Sequence, residues 1–279
     1  MPNTTITSRQ NPLVARFKAA ADHDADWMLL DGAHLLAEAL DAGLVIDCVA
    51  VDSDRVAGGD LDALAQRLPP DRLVAVSRSV LDAMSPVGTP TGLVALAARP
   101  RHATVAMMRS GTALLVGAAD IQDPGNLGAI VRAAEAGGAS GVVTTTGGAD
   151  PFGWKAVRGA MGSAFRLPIV RVASVEAMVD QARAAGLQVV AAVGHGHTPM
   201  HEVDFTKATL IVLGSEGRGL AQGLVDSADV AVSIPMTPPV ESLNVAVAAA
   251  LLVYEARRQR ETVPTITTVT KDRTKVTNQ

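Results

Sequence analysis

Cysteine is almost missing from this chain: Cys48 is the only one in 279 residues. One thiol cannot close an internal disulfide, and no cysteine cluster offers a zinc site. Cys48 lies in an apolar, strand-like stretch and reads as a small buried apolar residue. Aromatic residues make up 3% of the sequence, so a core has to be built from Ala, Val and Leu. No apolar run approaches the roughly 20 residues of a membrane helix. The opening Met1-Pro2-Asn3-Thr4-Thr5 carries no basic flank leading into an apolar run, so no signal peptide is expected. A reducing cytoplasm fits these absences. Positive charge is also in short supply, with a formal net charge of −4, which argues against non-specific binding to nucleic acid.

What is present points to a folded enzyme-sized protein. Hydrophobic residues are 48% and charged residues 19%, the balance of a globular chain. The length allows a sizeable core and two domains. The cations are unevenly placed. Arg9, Arg16 and Lys18 fall in the first twenty residues without an acid among them, and Arg257, Arg258, Arg260, Lys271, Arg273 and Lys275 fall near the end. A local basic face is compatible with the overall acidity.

Residues 1–100 read as a small α/β domain. Ala33 to Ala42 has apolar positions at helical spacing. Val45 to Val51, Leu73 to Val76 and Leu93 to Ala97 read as strands, Leu61 to Leu68 as a helix, and Ser79 to Met84 as a short helix stopped by Pro86. Residues 101–111 read as a linker. In residues 112–260 strands and helices alternate. Strands are expected at Ala113 to Gly117, Gly141 to Thr145, Gln188 to Val193, Thr209 to Leu213 and Val230 to Ile234. Helices are expected at Asn126 to Ala136, Trp154 to Met161, Val175 to Ala185 and Ser242 to Gln259. This alternation, with Val- and Ala-rich strands, predicts a parallel sheet covered on both faces. Residues 261–279 are Thr-rich and polar without periodicity and read as a flexible tail.

Three segments, in order, carry the functional signal. They run from Asp123-Pro124-Gly125-Asn126 to Arg132, from Leu213-Gly214-Ser215-Glu216-Gly217-Arg218-Gly219 to Leu220, and from Ile234-Pro235-Met236-Thr237-Pro238-Pro239 to Val245. Each follows a strand-like run and is rich in Gly, Pro, Asn or Ser. Backbone amides and small polar side chains are thus placed at strand ends, where open α/β sheets bind ligands. No glycine-rich dinucleotide fingerprint follows the first strand of this domain, since Asp123-Pro124-Gly125-Asn126 takes its place. His195, Gly196, His197 and His201 suggest a turn after a strand and not a metal site, because three or four ligands with fixed geometry are not evident.

Together these segments resemble the signature of the SpoU (TrmH-like) family of RNA 2'-O-ribose methyltransferases. Lys155 to Pro168 is similar to the family's second helix and the strand after it. Upstream, Asp31 to Ala39 and Met84 to Gly92 resemble the small ribosomal-protein-like RNA-binding domain often fused to that catalytic domain. The resemblance implies an α/β fold whose C-terminal parallel sheet holds the deep SPOUT trefoil knot, preceded by that smaller substrate-binding domain. It implies a homodimer with the active site at the subunit interface, S-adenosylmethionine as cofactor, and a structured RNA as substrate. The two-domain layout favours ribosomal RNA. A tRNA methyltransferase, or a catalytically silent RNA-binding or ribosome-assembly factor on the same fold, is the alternative.

The resemblance assigns Leu213, Gly214, Glu216, Gly219, Ile234, Met236, Ser242, Leu243 and Asn244 to the cofactor. It assigns Asn126, Arg132, Glu216, Ser242 and Asn244 to the chemistry. Gly214 lets backbone approach a ligand closely, whereas Gly217 is as well explained by a plain turn. Asn126 is expected at or just before a helix N-cap, and Ser242 reads as a cofactor contact or as the N-cap of the last helix. Attack of a ribose 2'-oxygen on a sulfonium methyl needs in-line geometry and loss of the hydroxyl proton. A guanidinium stays protonated in proteins, so Arg132 is expected to clamp an RNA phosphate and stabilise the developing alkoxide, the alternative being a helix-surface ion pair. Glu216 is expected to order Asn126 or Arg132, or to cap a turn. Lys155 and Arg158 on one helix form either a phosphate-contacting or a solvated face, and Arg9 and Arg16 are further RNA candidates. The sequence departs from the family at Thr237-Pro238-Pro239. Proline removes an N–H there, which argues against amide contacts to cofactor at Pro238 and Pro239 but not at their neighbours.

Overall fold

The computed structural model describes residues 5–22, 26–55, 60–88, 90–101 and 111–262. Most of the expected linker (102–110) and tail (263–279) lie outside the described residues. The chain opens with a helix that the sequence reading omitted, α1 (Pro12–Ala21). Asn11 caps it, accepting from the Leu13 amide at 2.9 Å, and Pro12 occupies the first turn, where its missing N–H costs nothing. The Asn-Pro pair was the available signal. A second omission is the strand β1 (Trp27–Asp31).

The N-terminal sheet also contains β2 (Ile46–Asp52), β3 (Leu73–Val76) and β4 (Leu93–Ala98), in the order β1-β4-β2-β3. β4 is antiparallel to both neighbours, and β2 and β3 are parallel. Helices α2 (Ala33–Asp41) and α4 (Arg78–Met84) match the expected positions. The helix expected at Leu61 to Leu68 is shorter, α3 (Asp60–Ala65).

The second sheet is wholly parallel and has seven strands. They are β5 (Leu114–Ala118), β6 (Gly141–Thr145), β7 (Ile169–Val172), β8 (Gln188–Val193), β9 (Thr198–Pro199), β10 (Thr209–Leu213) and β11 (Val230–Ser233). Their order is β7-β6-β5-β10-β8-β11-β9. The strands alternate between two buried layers. Leu114, Val116, Ile211 and Leu213 pack under α5 (Pro124–Ala136) and α10 (Val245–Thr262), whereas Leu115, Leu210 and Val212 pack under α8 (Val175–Ala184), with Leu224 of α9 (Gln222–Ser227) against the same layer. Burial on both faces explains why these strands read as near-continuous apolar runs. The first layer is continuous with Met28 and Leu30 of β1, so a single apolar cluster runs from one sheet into the other.

Polar contacts close the same seam. Arg166, in α7 (Ser163–Arg166), makes a bidentate pair with Glu135 of α5 at 2.8 and 3.0 Å and a further pair with Glu38 of α2. Arg99 meets Asp150 at 2.8 Å, both largely buried. Among the described residues no helix is long and apolar enough to cross a membrane.

Two helix starts differ from the sequence reading. Asn126 does not cap α5; Asp123 does, accepting from the Asn126 amide at 2.7 Å, with Pro124 in the first turn. The last helix begins at Val245 and not at Ser242. Asn244 caps it, its carboxamide oxygen taking the Ala246 amide at 2.9 Å and its carbonyl the Ala248 amide at 3.0 Å. With Asn244 in that role, Ser242 and Leu243 stay in extended chain and are free to face a cavity. At the other end α10 continues through Thr262, two residues into the expected tail.

Candidate functional site

The strand order places the site. From β5 the sheet grows outward through β6 and β7, and β10 returns to fill the slot between β5 and β8. The direction of winding reverses there, and the crevice beyond the carboxyl ends of such strands is where open α/β sheets take ligands. β5 ends at Ala118 and β10 at Leu213, and the Ala119 amide donates to the Leu213 carbonyl at 2.9 Å just past both.

A cavity of about 600 Å³ opens at this crevice. Its lining includes all nine residues expected at the cofactor: Leu213, Gly214, Glu216, Gly219, Ile234, Met236, Ser242, Leu243 and Asn244. Residues of the second and third motifs thus share one wall, and no residue of the first motif lines it. The volume lies in the range of small-molecule sites. Pro238 and Pro239 do not line it, while Met236 and Ser242 on either side do. The stretch Ala192-Val193-Gly194 after β8 also lines it and was not anticipated, because nothing in its composition separates it from an ordinary strand end.

Gly214 is where the backbone leaves no room. A Cβ there would lie 2.5 Å from both the Gly219 carbonyl oxygen and the Leu220 amide nitrogen. The loop folds directly onto its own origin, closed by the Gly219 amide on the Ser215 carbonyl at 2.9 Å. Gly217 differs. Its φ is +84° and its Cβ position is open, so it serves the turn.

One hydrogen-bonded chain links the three motifs. The Asn126 carboxamide donates to Glu216 Oε1 at 2.5 Å, and Asn126 Oδ1 accepts from the Asn244 carboxamide at 3.0 Å. Asn244 in turn caps α10. Of the partners expected for Glu216, the structure selects Asn126. The geometry follows from α5 and α10 running side by side in parallel. Their starts meet through Asn126 and Asn244, and near their ends Arg257 donates to the Ala136 carbonyl at 3.1 Å. Asp123, which fixes the first turn of α5, is the positioning residue that the sequence reading left out of the site; an Asp preceding Pro is its signature.

Arg132 is exposed and has no hydrogen-bond or ion-pair partner among the described residues, so the surface-ion-pair alternative is not seen. It lies on the outer face of α5 with Gly125, Ala129 and Ala136. Gly128 presses α5 onto α6 (Trp154–Ala160), a Cβ there meeting the Ala160 amide at 2.9 Å. On the other side α10 carries exposed Val247, Leu251 and Tyr254. Arg132 therefore sits between α6 and an apolar stripe.

The remaining cation candidates separate. Lys155 and Arg158 are exposed on α6, one turn apart, with Lys155 over the Trp154 ring at 5.4 Å. Arg9 donates to the Ser79 carbonyl at 3.0 Å. Arg16 is held by Asp47 at 2.5 Å, which the sequence pattern did not reveal because Asp47 is distant in the chain. Among the described residues no three His, Cys, Asp or Glu side chains are grouped to hold a metal ion.

The sequence model of the SpoU rRNA Methylase family matches residues 113–254. The 23S rRNA (guanosine(2553)-2'-O)-methyltransferase of Bacillus subtilis is 34% identical over 230 residues, covering 82% of this chain and 88% of its own. Two crystal structures share the fold. The AdoMet-bound rRNA methyltransferase of Sinorhizobium meliloti has a TM-score of 0.79 at 30% identity, covering 91% of this chain and 97% of its own. The SpoU methyltransferase AviRb of Streptomyces viridochromogenes, in complex with AdoMet, has a TM-score of 0.80 at 29% identity, covering 91% and 99%. With half of its length inside the family match and most of it aligned to these relatives, the chain belongs to the SpoU rRNA methylase family.

Proposed function

We propose that this protein is an S-adenosylmethionine-dependent 2'-O-ribose methyltransferase that modifies ribosomal RNA in the cytoplasm. The observation that carries the reading is the convergence of the second and third motifs on one cavity of about 600 Å³ at the sheet's switch point, with the first motif tied to both through Asn126. Its lining fits the cofactor's chemistry. Leu213, Ile234, Met236 and Leu243 offer apolar walls for an adenine, and Ser242 and Asn244 offer polar groups for the amino-acid end. At Gly214 the loop closes on its own backbone so tightly that any side chain would push the Ser215–Gly219 turn away from its place in the wall. When bound, S-adenosylmethionine supplies a sulfonium methyl as electrophile.

The residues around it position the other reactant. Asn126, held from both sides by Glu216 and Asn244, is fixed where a ribose 2'-hydroxyl has to approach. The Arg132 guanidinium grips a neighbouring phosphate in a bidentate fork and stabilises charge developing on the 2'-oxygen. The hydroxyl proton leaves to water, to phosphate or to another group. Lys155 and Arg158 extend a phosphate-binding face along α6, with Arg9 and Arg16 as contacts from the first domain.

The larger architecture follows the same reading. Residues 1–100 form the RNA-binding domain, 101–111 the linker, and 112–262 the methyltransferase domain with its trefoil knot. Two copies pair through the exposed stripe of Val247, Leu251 and Tyr254 on α10, continuous with the small residues beside Arg132 on α5. Such pairing brings Arg132 to the interface, where a phosphate can be desolvated.

The test is transfer of a radiolabelled methyl group from S-adenosylmethionine to unmodified ribosomal RNA and, separately, to tRNA. An alkali-resistant dinucleotide at one ribosomal site is expected. Transfer to tRNA alone reassigns the substrate, cofactor binding without transfer points to another RNA or to an assembly intermediate as substrate, and neither binding nor transfer refutes the enzymatic reading.

A further inference from the structure

A second, wider cavity of about 1220 Å³ opens on the far side of the Ser215–Gly219 turn and shares that turn as a wall with the first. Its lining is strongly acidic. Asp120, Asp123, Glu176 and Asp180 surround it, with Glu216 on the shared wall. Two cations face it, Arg183 and Arg218. Arg183 is engaged, its guanidinium donating to the Ser227 carbonyl. Arg218 is exposed, has no partner among the described residues, and lines both cavities. The turn that carries it is fixed by the Gly219 amide on the Ser215 carbonyl at 2.9 Å and by the backbone contact behind Gly214.

We propose that Arg218 seats the phosphodiester of the nucleotide to be methylated, and that the surrounding carboxylates confine the RNA backbone to that one seat. The proposal rests on the methyltransferase reading above. Its physics is a contrast of sign at short range. Within a Debye length of about 8 Å at physiological salt, a phosphate entering this groove meets like charge from Asp120, Asp123, Glu176 and Asp180 and opposite charge at Arg183 and Arg218, and of these two guanidinium groups Arg183 is already held by the Ser227 carbonyl. A guanidinium grips a phosphate oxygen pair in a fork, which fixes orientation as well as position. Arg218 is two residues from Glu216, the partner of Asn126. A phosphate held there brings its own ribose to the Asn126–Glu216 pair, so the seat sets which nucleotide of the strand is presented. The carboxylates act by exclusion, making neighbouring registers unfavourable.

The experiment compares the wild type with Arg218→Ala and Arg218→Lys, using an unmodified ribosomal RNA transcript and labelled S-adenosylmethionine. Cofactor affinity is read by calorimetry, and RNA affinity by filter binding across a salt series. For Arg218→Ala, KM for RNA is expected to rise about tenfold, the slope of log affinity on log salt to fall by about one, and cofactor Kd to stay within about twofold of the wild type. Arg218→Lys is expected to recover the salt slope but only part of KM, because an ammonium lacks the fork. Lys207→Ala, which removes a cation already paired with Asp204, is expected to leave KM unchanged. The pair Glu176→Gln and Asp180→Asn is expected to add methylation at secondary positions. A tenfold loss of cofactor affinity in Arg218→Ala with unchanged RNA affinity would place the guanidinium on the cofactor's carboxylate and overturn the proposal, as would no change in either. Should the wild type neither bind the cofactor nor transfer a methyl group, the methyltransferase reading fails by itself, and the salt slope of RNA binding still decides whether Arg218 is the seat.

Discussion

Replacing Gly214 by alanine should abolish useful cofactor affinity while leaving the fold standing. The Cβ would lie 2.5 Å from the Gly219 carbonyl oxygen and from the Leu220 nitrogen, against a comfortable separation of about 3.5 Å between non-bonded atoms. Both neighbours are backbone, so no side chain can rotate away. The turn from Ser215 to Gly219 is closed on itself by a 2.9 Å hydrogen bond and has to retreat as a unit, by about 1 Å. Overpacking of this kind costs about 1–3 kcal/mol, and each 1.4 kcal/mol is about tenfold in affinity. A 10- to 100-fold rise in the Kd for S-adenosylmethionine is therefore expected by calorimetry. Circular dichroism should show an intact native state with a lowered melting temperature. Gly217→Ala is the matched control. Its Cβ position is open and its φ of +84° costs strain only, about 1 kcal/mol, so Kd should stay within about threefold. If Gly214→Ala bound the cofactor as tightly as Gly217→Ala does, backbone closure at this point would not be what shapes the cavity.

Other consequences are equally open to measurement. Burial, and secondarily the charge of Asp47, push the Cys48 thiol up to about 11, so an aromatic disulfide reagent at pH 8 should label no thiol in the native protein and one per chain in denaturant. Hydrogen bonding to Arg166 holds the Glu135 carboxyl below its ordinary range. Its stabilisation is thus present above the unfolded carboxylate value of about 4.3 and is lost as pH falls through the lower folded value. Arg166 is 42% exposed, so the effect should stay under about 1 kcal/mol, seen as a steeper fall in melting temperature from pH 5 to pH 3 in the wild type than in Arg166→Met. Leu251→Asp should convert a dimer to a monomer in light scattering and remove activity, while a monomeric wild type would sink the proposed interface. Arg132→Lys should lower kcat without moving the pH–rate profile; a base pKa that follows the substitution would refute the clamp.

Much of the fold was legible because the signals were local. The parallel sheet follows from Val- and Ala-rich runs buried on both faces, and every expected strand lies within a residue or so of its place. α1 and β1 were missed for opposite reasons. α1 has a cap at Asn11 and Pro12 but a weak apolar face, and β1 is a continuous buried apolar run whose lack of alternation does not distinguish strand from helix. The residues of the cavity wall could be picked out through motifs, yet the contacts that hold it could not. Asn126 reads as a helix cap until Asp123 is seen in that role. Ser242 reads as the start of α10 until the Asn244 carboxamide takes the Ala246 amide. In each case two neighbouring polar residues can cap, and only the path of the preceding chain decides between them. The pairing of Arg16 with Asp47 and the acidic lining beside Arg218 are products of tertiary placement, beyond the reach of any window on the sequence.

The net charge of −4 then ceases to conflict with an RNA substrate. Most arginines here are spent inside the protein. Arg99, Arg166 and Arg260 hold the seam between sheets and the end of α10 to the chain around them, and Arg16, Arg67, Arg72 and Arg78 pair with nearby carboxylates. Arg132, Lys155, Arg158 and Arg218 have no carboxylate partner among the described residues. They fall on α5, on α6 and on the turn between the two cavities. An enzyme that finds one nucleotide in a folded RNA gains little from a uniformly basic surface, which binds every phosphate alike. A few unpaired cations around the Asn126–Glu216 pair, set in an otherwise acidic surface, discriminate by register instead. Adding positive charge elsewhere should therefore strengthen RNA binding and weaken the choice of site together.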